Sequence, residues 1–122
     1  MSATVQLLEP ELDRLEALWS DGLADTYHAY VETAVEPKLA LAAALIEVGL
    51  RLQGLGGRAA PPTTLLMGDL CLARGSRLLA DHAPLAVQVA FARSIELLSA
   101  RAASQEAAPP ARQLLQDSLR LK

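Results

Sequence analysis

The segment from residue 63 to residue 80, TTLLMGDLCLARGSRLLA, constrains the possible folds of this chain more than any other segment. Small and apolar side chains recur along it at helical spacing, at Gly68, Cys71 or Leu72, Gly75 and Leu79. Each glycine inside a helix costs about 1 kcal/mol relative to alanine. We therefore predict that another helix packs closely against this face, because close packing would offset that cost.

The composition favours helices over strands. Hydrophobic residues make up 52% of the 122 residues, with Leu and Ala the most frequent, whereas aromatic residues make up only 3%. Strands are enriched in β-branched and aromatic side chains, so this balance predicts an all-α fold. The length allows one hydrophobic core, and we predict a single domain over residues 1–122. So many apolar side chains in a short chain also predict an interface with another molecule.

Prolines, glycines and capping residues divide the chain into five or six predicted helices, which follow a loose lead-in over residues 1–9. A polar linker that contains prolines covers residues 104–110. The sequence Ser20-Asp21-Gly22 is predicted to separate the first two helices, with Asp21 as the cap of the second, and a single bent helix through Gly22 is the alternative. The predicted helices cover residues 10–19, 22–35, 38–53, 64–81, 84–103 and 111–121.

The predicted helix of residues 38–53 is apolar on almost every side. A helix without a polar face is buried on several sides, so we place this one at the centre of the bundle. Residues 64–81 and 84–103 are expected to pack beside it. The segment from Leu85 to Phe91 has more apolar side chains than a single core contact requires.

The histidines and the cysteine do not form a catalytic or metal-binding pattern. His28 has only Glu32 at helical spacing as a possible second ligand, and metal sites need several. His82 is expected at a helix end, which is an ordinary structural position for histidine. Cys71 has no neighbouring His or Lys to lower the pKa of its thiol, so we expect it to be buried and unreactive. We predict no catalytic residue and no metal-binding residue.

The glycine-rich sequence at residues 54–57 and the acid Asp69 are two further candidates for a functional role. The sequence GLGG at residues 54–57 lacks the preceding strand and the following lysine of a phosphate-binding loop, so a flexible connection is expected. Asp69 is an acid early in an otherwise apolar helix. It is either a partner of the helix dipole near the N-terminus or a buried hydrogen-bonding residue, and the sequence does not decide between these roles.

Charge and cysteine usage exclude several classes of protein. The net charge is −3, and the basic residues form no patch and have no aromatic platform, which argues against nucleic-acid binding. A single cysteine fits a reducing cytoplasm. Residues 1–9 lack the basic start and long apolar run of a signal peptide, and charged residues interrupt every apolar stretch. We expect a cytoplasmic protein without a membrane span.

Residues 64–74, TLLMGDLCLAR, resemble a helix of the trans-polyprenyl diphosphate synthases that has the general form ILAGDxLLAxA. Residues 40–47, ALAAALIE, are similar to the AAALELIH helix of the same family. The resemblance covers residues 37–103 and implies a helical bundle related to part of the isoprenoid synthase fold.

The chain departs from that family where the family binds its substrates. The family's helix that resembles residues 39–53 leads into a DDxxD motif for magnesium and the allylic diphosphate. Here no acid occurs between Glu47 and Asp69, and the second aspartate-rich motif has no counterpart. Magnesium–diphosphate chemistry needs several oxygen ligands, so we expect no activity and no cofactor in the isolated chain. Mg²⁺ would belong to a catalytic partner.

The resemblance therefore implies the small, non-catalytic subunit of a heterodimeric polyprenyl diphosphate synthase, which supports the activity and product length of a large catalytic subunit. In that family the helix with the Gly-Asp motif and the next helix form the dimer interface. On this basis we expect Gly75→Leu to abolish association. The predicted interface residues are Gly68, Leu72, Gly75, Leu79, Ala86, Val89, Ala90 and Arg93.

Other functions remain open at this point. The chain could be a homodimeric helical scaffold protein without an enzymatic role. It could also be a binder of a lipid chain, which would require a real cavity and which a tightly packed Ala/Leu core would contradict. Independent prenyl transfer is the weakest alternative because the carboxylates are missing.

Overall fold

The structure is a computed structural model that describes residues 22–33, 36–53 and 62–121. All regular structure within these ranges is helical, which confirms the predicted all-α bundle. The predicted lead-in, the helix of residues 10–19 and the GLGG connection lie outside the described residues. The helices are α1 (Ala24–Val31), α2 (Pro37–Leu52), α3 (Pro62–His82), α4 (Leu85–Ala103) and α5 (Ala111–Leu119).

Prolines mark where several helices begin. Pro37 is the first residue of α2, and Pro84 and Pro110 stand immediately before α4 and α5. α3 begins at Pro62, two residues before the start that the sequence predicted at residue 64. Gly22 has a φ of +126°, a conformation that favours glycine, immediately before α1. The predicted break before α1 and its alternative of one bent helix both depend on residues outside the described ranges.

α2 occupies the centre of the bundle, as predicted. It packs against α1, α3 and α5. Ten of its eleven residues from Ala40 to Leu50 are buried, and the remaining one, Leu41, is half-buried. Four of these residues are alanines, which favour the helix and whose small side chains let neighbouring helices approach.

α3 approaches α2 backbone to backbone at three glycines. A Cβ atom on Gly75 would lie 2.7 Å from Ile46 Cγ1 and 2.9 Å from the Ala42 carbonyl oxygen. A Cβ atom on Gly68 would lie 3.0 Å from the Gly49 carbonyl oxygen. A Cβ atom on Gly49 would likewise lie 3.0 Å from the Gly68 carbonyl oxygen. The close approach predicted from Gly68 and Gly75 is confirmed, and the approaching helix belongs to the same chain.

α4 and α5 close the bundle on the other side. Val87 and Phe91 of α4 and Leu115 of α5 are almost completely buried. Two buried serines, Ser94 and Ser118, meet where these helices pack, with 3.3 Å between their hydroxyl oxygens. None of the helices in the described ranges has the length and apolar character needed to cross a lipid bilayer.

Candidate functional site

Three of the predicted interface residues, Gly68, Leu72 and Gly75, lie against α2 of the same chain. Gly68 and Gly75 are buried in that contact, and Leu79 is buried in the core of the bundle at 5% exposure. Leu72 is half-buried, and its Cγ would lie 2.9 Å from a Cβ atom added to Gly49. The contact with α2 therefore explains these small residues without a partner protein. Gly75→Leu no longer tests an interface, because the new side chain would collide with Ile46 first.

The other half of the predicted interface lies on α4. Ala86 and Arg93 are exposed, Ala90 is half-buried, and Val89 is 38% exposed. Leu85 lies one turn before Val89 and is 73% exposed. We define these five residues as the α4 outer face. Its role as an interface stays a prediction.

Asp69 has neither of the roles weighed from the sequence. It is exposed, and it lies beyond the first turn of a helix that begins at Pro62, so it is not a partner of the N-terminal dipole. Its carboxylate accepts a hydrogen bond from the Gln53 side chain at the end of α2. Both expectations were wrong because the face of α3 that carries Asp69 points to the C-terminus of α2.

The remaining residues weighed from the sequence have structural positions. Cys71 is completely buried, as expected, and burial raises the pKa of its thiol to about 11. His28 is exposed with its ring 5.4 Å from that of Tyr27, and His82 is exposed at the end of α3. Across the described ranges, no group of three or more His, Cys, Asp or Glu residues could hold a metal ion.

The most unusual polar group in the described structure is Glu47, a carboxylate only 6% exposed in the middle of α2. Its Oε1 accepts hydrogen bonds from the Tyr30 hydroxyl at 2.7 Å and from Arg112 Nε at 3.1 Å. Its Oε2 accepts hydrogen bonds from Arg51 Nη2 at 2.6 Å and from Arg112 Nη2 at 3.0 Å. Both carboxylate oxygens are therefore fully used, and we call these four residues the Glu47 cluster.

The cluster joins three helices that are distant in sequence. Arg112 comes from the first turn of α5, 65 residues after Glu47, and binds the carboxylate through two parallel hydrogen bonds. Arg51 lies one turn after Glu47 on α2, and its Nη2 also donates to Thr26 Oγ1 of α1 at 3.1 Å. Thr26 in turn donates to the Gly22 carbonyl oxygen at 3.0 Å. One buried acid thus ties α1 and α5 to α2.

Opposing effects determine the charge state of the cluster. Burial raises the pKa of the Glu47 carboxyl, but the hydrogen bonds from Arg112 and Tyr30 and the charges of both arginines outweigh burial and hold the pKa below its ordinary value. Burial and then the hydrogen bond to Glu47 raise the pKa of the Tyr30 hydroxyl. Hydrogen bonding to Glu47 raises the pKa of Arg112. At neutral pH the cluster therefore holds an ionised acid, two guanidinium cations and a neutral phenol.

A cavity of about 460 Å³ lies beside the Glu47 cluster, between α2, α4 and the segment before α5. The charged residues of its lining are Glu47, Arg51, Glu106 and Arg112. The apolar lining is formed by Leu50, Leu98, Ala102, Ala108, Pro109, Pro110 and Ala111.

The turn at the end of α4 positions one wall of this cavity. Gln105 has a φ of +56°, and the Glu106 N–H donates to the Arg101 carbonyl oxygen at 2.9 Å, which closes the helix with a left-handed residue. Residues 106–110 then run along the opening toward α5. The prolines at 109 and 110 cannot continue α4, so they hold this segment in an extended form.

Sequence reasoning did not single out the Glu47 cluster or the cavity. One signal was present: Glu47 is a lone acid within an otherwise apolar stretch of α2, with Arg51 one turn later. No sequence pattern identified Arg112 as its second partner, because the pair is formed by tertiary packing.

Comparison with known proteins yields no match: neither a family model, nor a curated protein, nor a solved structure is significantly similar to this chain. The resemblance to polyprenyl diphosphate synthases therefore rests on the residues quoted for it above.

Proposed function

We propose that this chain is a non-catalytic helical subunit that binds a partner protein through the α4 outer face. The partner that the sequence resemblance suggests is the catalytic subunit of a polyprenyl diphosphate synthase. In this proposal the chain supports the activity and product length of that subunit, which holds the Mg²⁺ and both diphosphate substrates.

The observation that carries the proposal is the exposure of large apolar side chains at the start of α4. Leu85 is 73% exposed and Val89 is 38% exposed, and the small side chains of Ala86 and Ala90 lie beside them on the same side of the helix. The opposite side of α4 supplies the buried residues of the bundle. An apolar face of this kind, bordered by Arg93, is typical of a helix that packs on another protein.

The test is affinity capture of the tagged full-length chain from its own cell lysate, followed by identification of the copurifying protein and an assay of prenyl transfer. We expect a larger protein with two aspartate-rich motifs, and activity that requires both chains. Leu85→Asp and Val89→Asp should each reduce capture at least about tenfold, since a charge would be buried at the contact.

Ser99→Asp is the matched control, because it adds the same charge at an exposed position of α4 outside the α4 outer face. It should leave capture unchanged. Equal capture by Leu85→Asp, Val89→Asp and the wild type would contradict this assignment of the interface.

The homodimeric scaffold is the second candidate, because the same apolar face could pack against its copy. The solution mass of the purified chain distinguishes the two. A stable homodimer that Val89→Asp converts to a monomer, together with no captured partner, would replace the subunit proposal by the scaffold.

A further inference from the structure

We propose that the cavity beside the Glu47 cluster binds a small amphiphilic anion, of the class of medium-chain carboxylates. The anionic group would contact the guanidinium groups of Arg51 and Arg112, and the alkyl chain would lie along Leu50, Leu98 and Ala102. This site is separate from the α4 outer face and does not depend on the proposed partner.

The size and lining of the cavity fit such a ligand. Its volume of about 460 Å³ lies within the range of about 300–1,000 Å³ that is typical of small-molecule sites. At about 30 Å³ per water-sized group, it has room for a ligand of about ten to fifteen non-hydrogen atoms. Most of the wall is aliphatic, and the polar groups are gathered on one side, as in sites that orient a ligand with one charged end.

The charges around the cavity favour an anion. Its lining contains two guanidinium groups and the two carboxylates of Glu47 and Glu106. Because Arg101 pairs with Glu106 at 3.3 Å, Glu47 is left as the single counter-charge to Arg51 and Arg112. Arg112 binds Glu47 through one N–H group each of Nε and Nη2, whereas a guanidinium group has five N–H donors, so donors beyond these two hydrogen bonds can serve a ligand. The side chains of Arg51 and Arg112 are 56% and 46% exposed, so an incoming anion can reach them.

The N-terminus of α5 adds a second, independent attraction for negative charge. Ala111 and Arg112, its first residues, line the cavity, and no side chain caps the helix at Pro110. The first backbone N–H groups of a helix have no partner within the helix and carry partial positive charge. An anion between them and the guanidinium groups would accept hydrogen bonds from both.

Isothermal titration of the full-length chain with sodium octanoate at neutral pH and low salt tests this proposal. Octan-1-ol and octylammonium are the matched probes, because they keep the alkyl chain and replace the anion by a neutral or cationic group. We expect octanoate to bind with one-to-one stoichiometry and at least about tenfold more tightly than either probe. Absence of octanoate binding at millimolar concentration, or equal binding of octan-1-ol, would overturn the proposal.

Variants show whether the ligand occupies this cavity. Ala102→Phe fills the apolar wall without touching the Glu47 cluster, and it should abolish octanoate binding while the thermal unfolding midpoint stays within a few degrees of the wild type. Arg51→Gln should weaken binding about tenfold. The control is Ala100→Phe, at an exposed α4 position that does not line the cavity, which should bind octanoate normally. Normal binding by a folded Ala102→Phe variant would place the ligand elsewhere.

Discussion

The two sides of α2 are held to their neighbours by opposite means. On one side α3 approaches so closely that a single added carbon at Gly75 would collide with Ile46. On the other side a buried carboxylate, Glu47, holds α5 and α1 through hydrogen bonds from Arg112, Arg51 and Tyr30. The first contact depends on shape and leaves no space, whereas the second depends on charge and borders a cavity.

This difference explains where a function can lie. The glycine contact between α2 and α3 is filled by the chain itself, so it has structural value only. The charged side keeps polar groups and an accessible volume together, which are the features of a ligand site. Burial of an ion pair contributes little net stability compared with apolar packing, whereas removal of one partner is costly because it leaves the other polar groups of the Glu47 cluster without their partner.

The largest effect is expected at the glycine contact. Gly75→Leu introduces a side chain whose Cβ alone would lie 2.7 Å from Ile46 Cγ1 and 2.9 Å from a backbone oxygen. Since the backbone cannot move away cheaply, we expect a loss of about 4 kcal/mol in the free energy of unfolding, measured by urea denaturation. Ala73→Leu, at an exposed position of α3, is the control and should change stability by less than about 0.5 kcal/mol.

The next effect is expected at the buried acid. Glu47→Gln replaces one acceptor oxygen by an NH₂ donor that faces guanidinium donors, and it removes the charge that both arginines pair with. Breaking a buried ion pair costs about 3–5 kcal/mol, and the partial exposure of the arginines reduces this to about 2–3 kcal/mol in urea denaturation. Glu96→Gln, at an exposed position of α4, should be neutral. Equal stability of Glu47→Gln and the wild type would contradict a stabilising role of the Glu47 cluster.

The two arginines should contribute unequally. Arg112→Ala removes two parallel hydrogen bonds and the only described charge link between α5 and α2, so we expect a loss of about 1–2 kcal/mol in the free energy of unfolding. Arg51→Ala removes a pair within one helix, and its side chain is 56% exposed, so about 0.5 kcal/mol is expected. A larger loss for Arg51→Ala than for Arg112→Ala would show that the link to Thr26 and α1 matters more.

The smallest effect on stability is expected from a change of pH, because protonation neutralises Glu47 without changing the shape of its side chain. The folded-state pKa of Glu47 lies below its ordinary value of about 4.5, so its contribution to stability is complete above that pH and is lost as the pH falls through the lower folded-state value. The wild-type urea midpoint should therefore decrease more than that of Glu47→Gln between pH 5 and the acid limit of folding. Parallel pH profiles for the two proteins would contradict the lowered pKa.

Several elements could be predicted from local residue chemistry. Pro37, Pro84 and Pro110 mark the helix starts because proline suits a first turn and cannot lie further inside. The apolar surface of α2 indicated its central place, and Gly68 with Gly75 indicated a close helix contact. Prediction failed where the role of a residue depended on the surface of another helix that packs opposite it. Asp69 was expected at the dipole or in the interior, but its face of α3 meets Gln53.

The sequence by itself determined that this chain is helical, where most of its described helices begin and end, and that one face of α3 must pack closely on another helix. Propensity, capping and periodicity act over a few residues, so they can be read along the chain. Only the tertiary structure decided that this other helix is α2 of the same chain, and that Arg112 meets Glu47 across 65 residues to form a charged wall beside a cavity. Such pairs depend on how whole helices pack, and no local pattern encodes that arrangement.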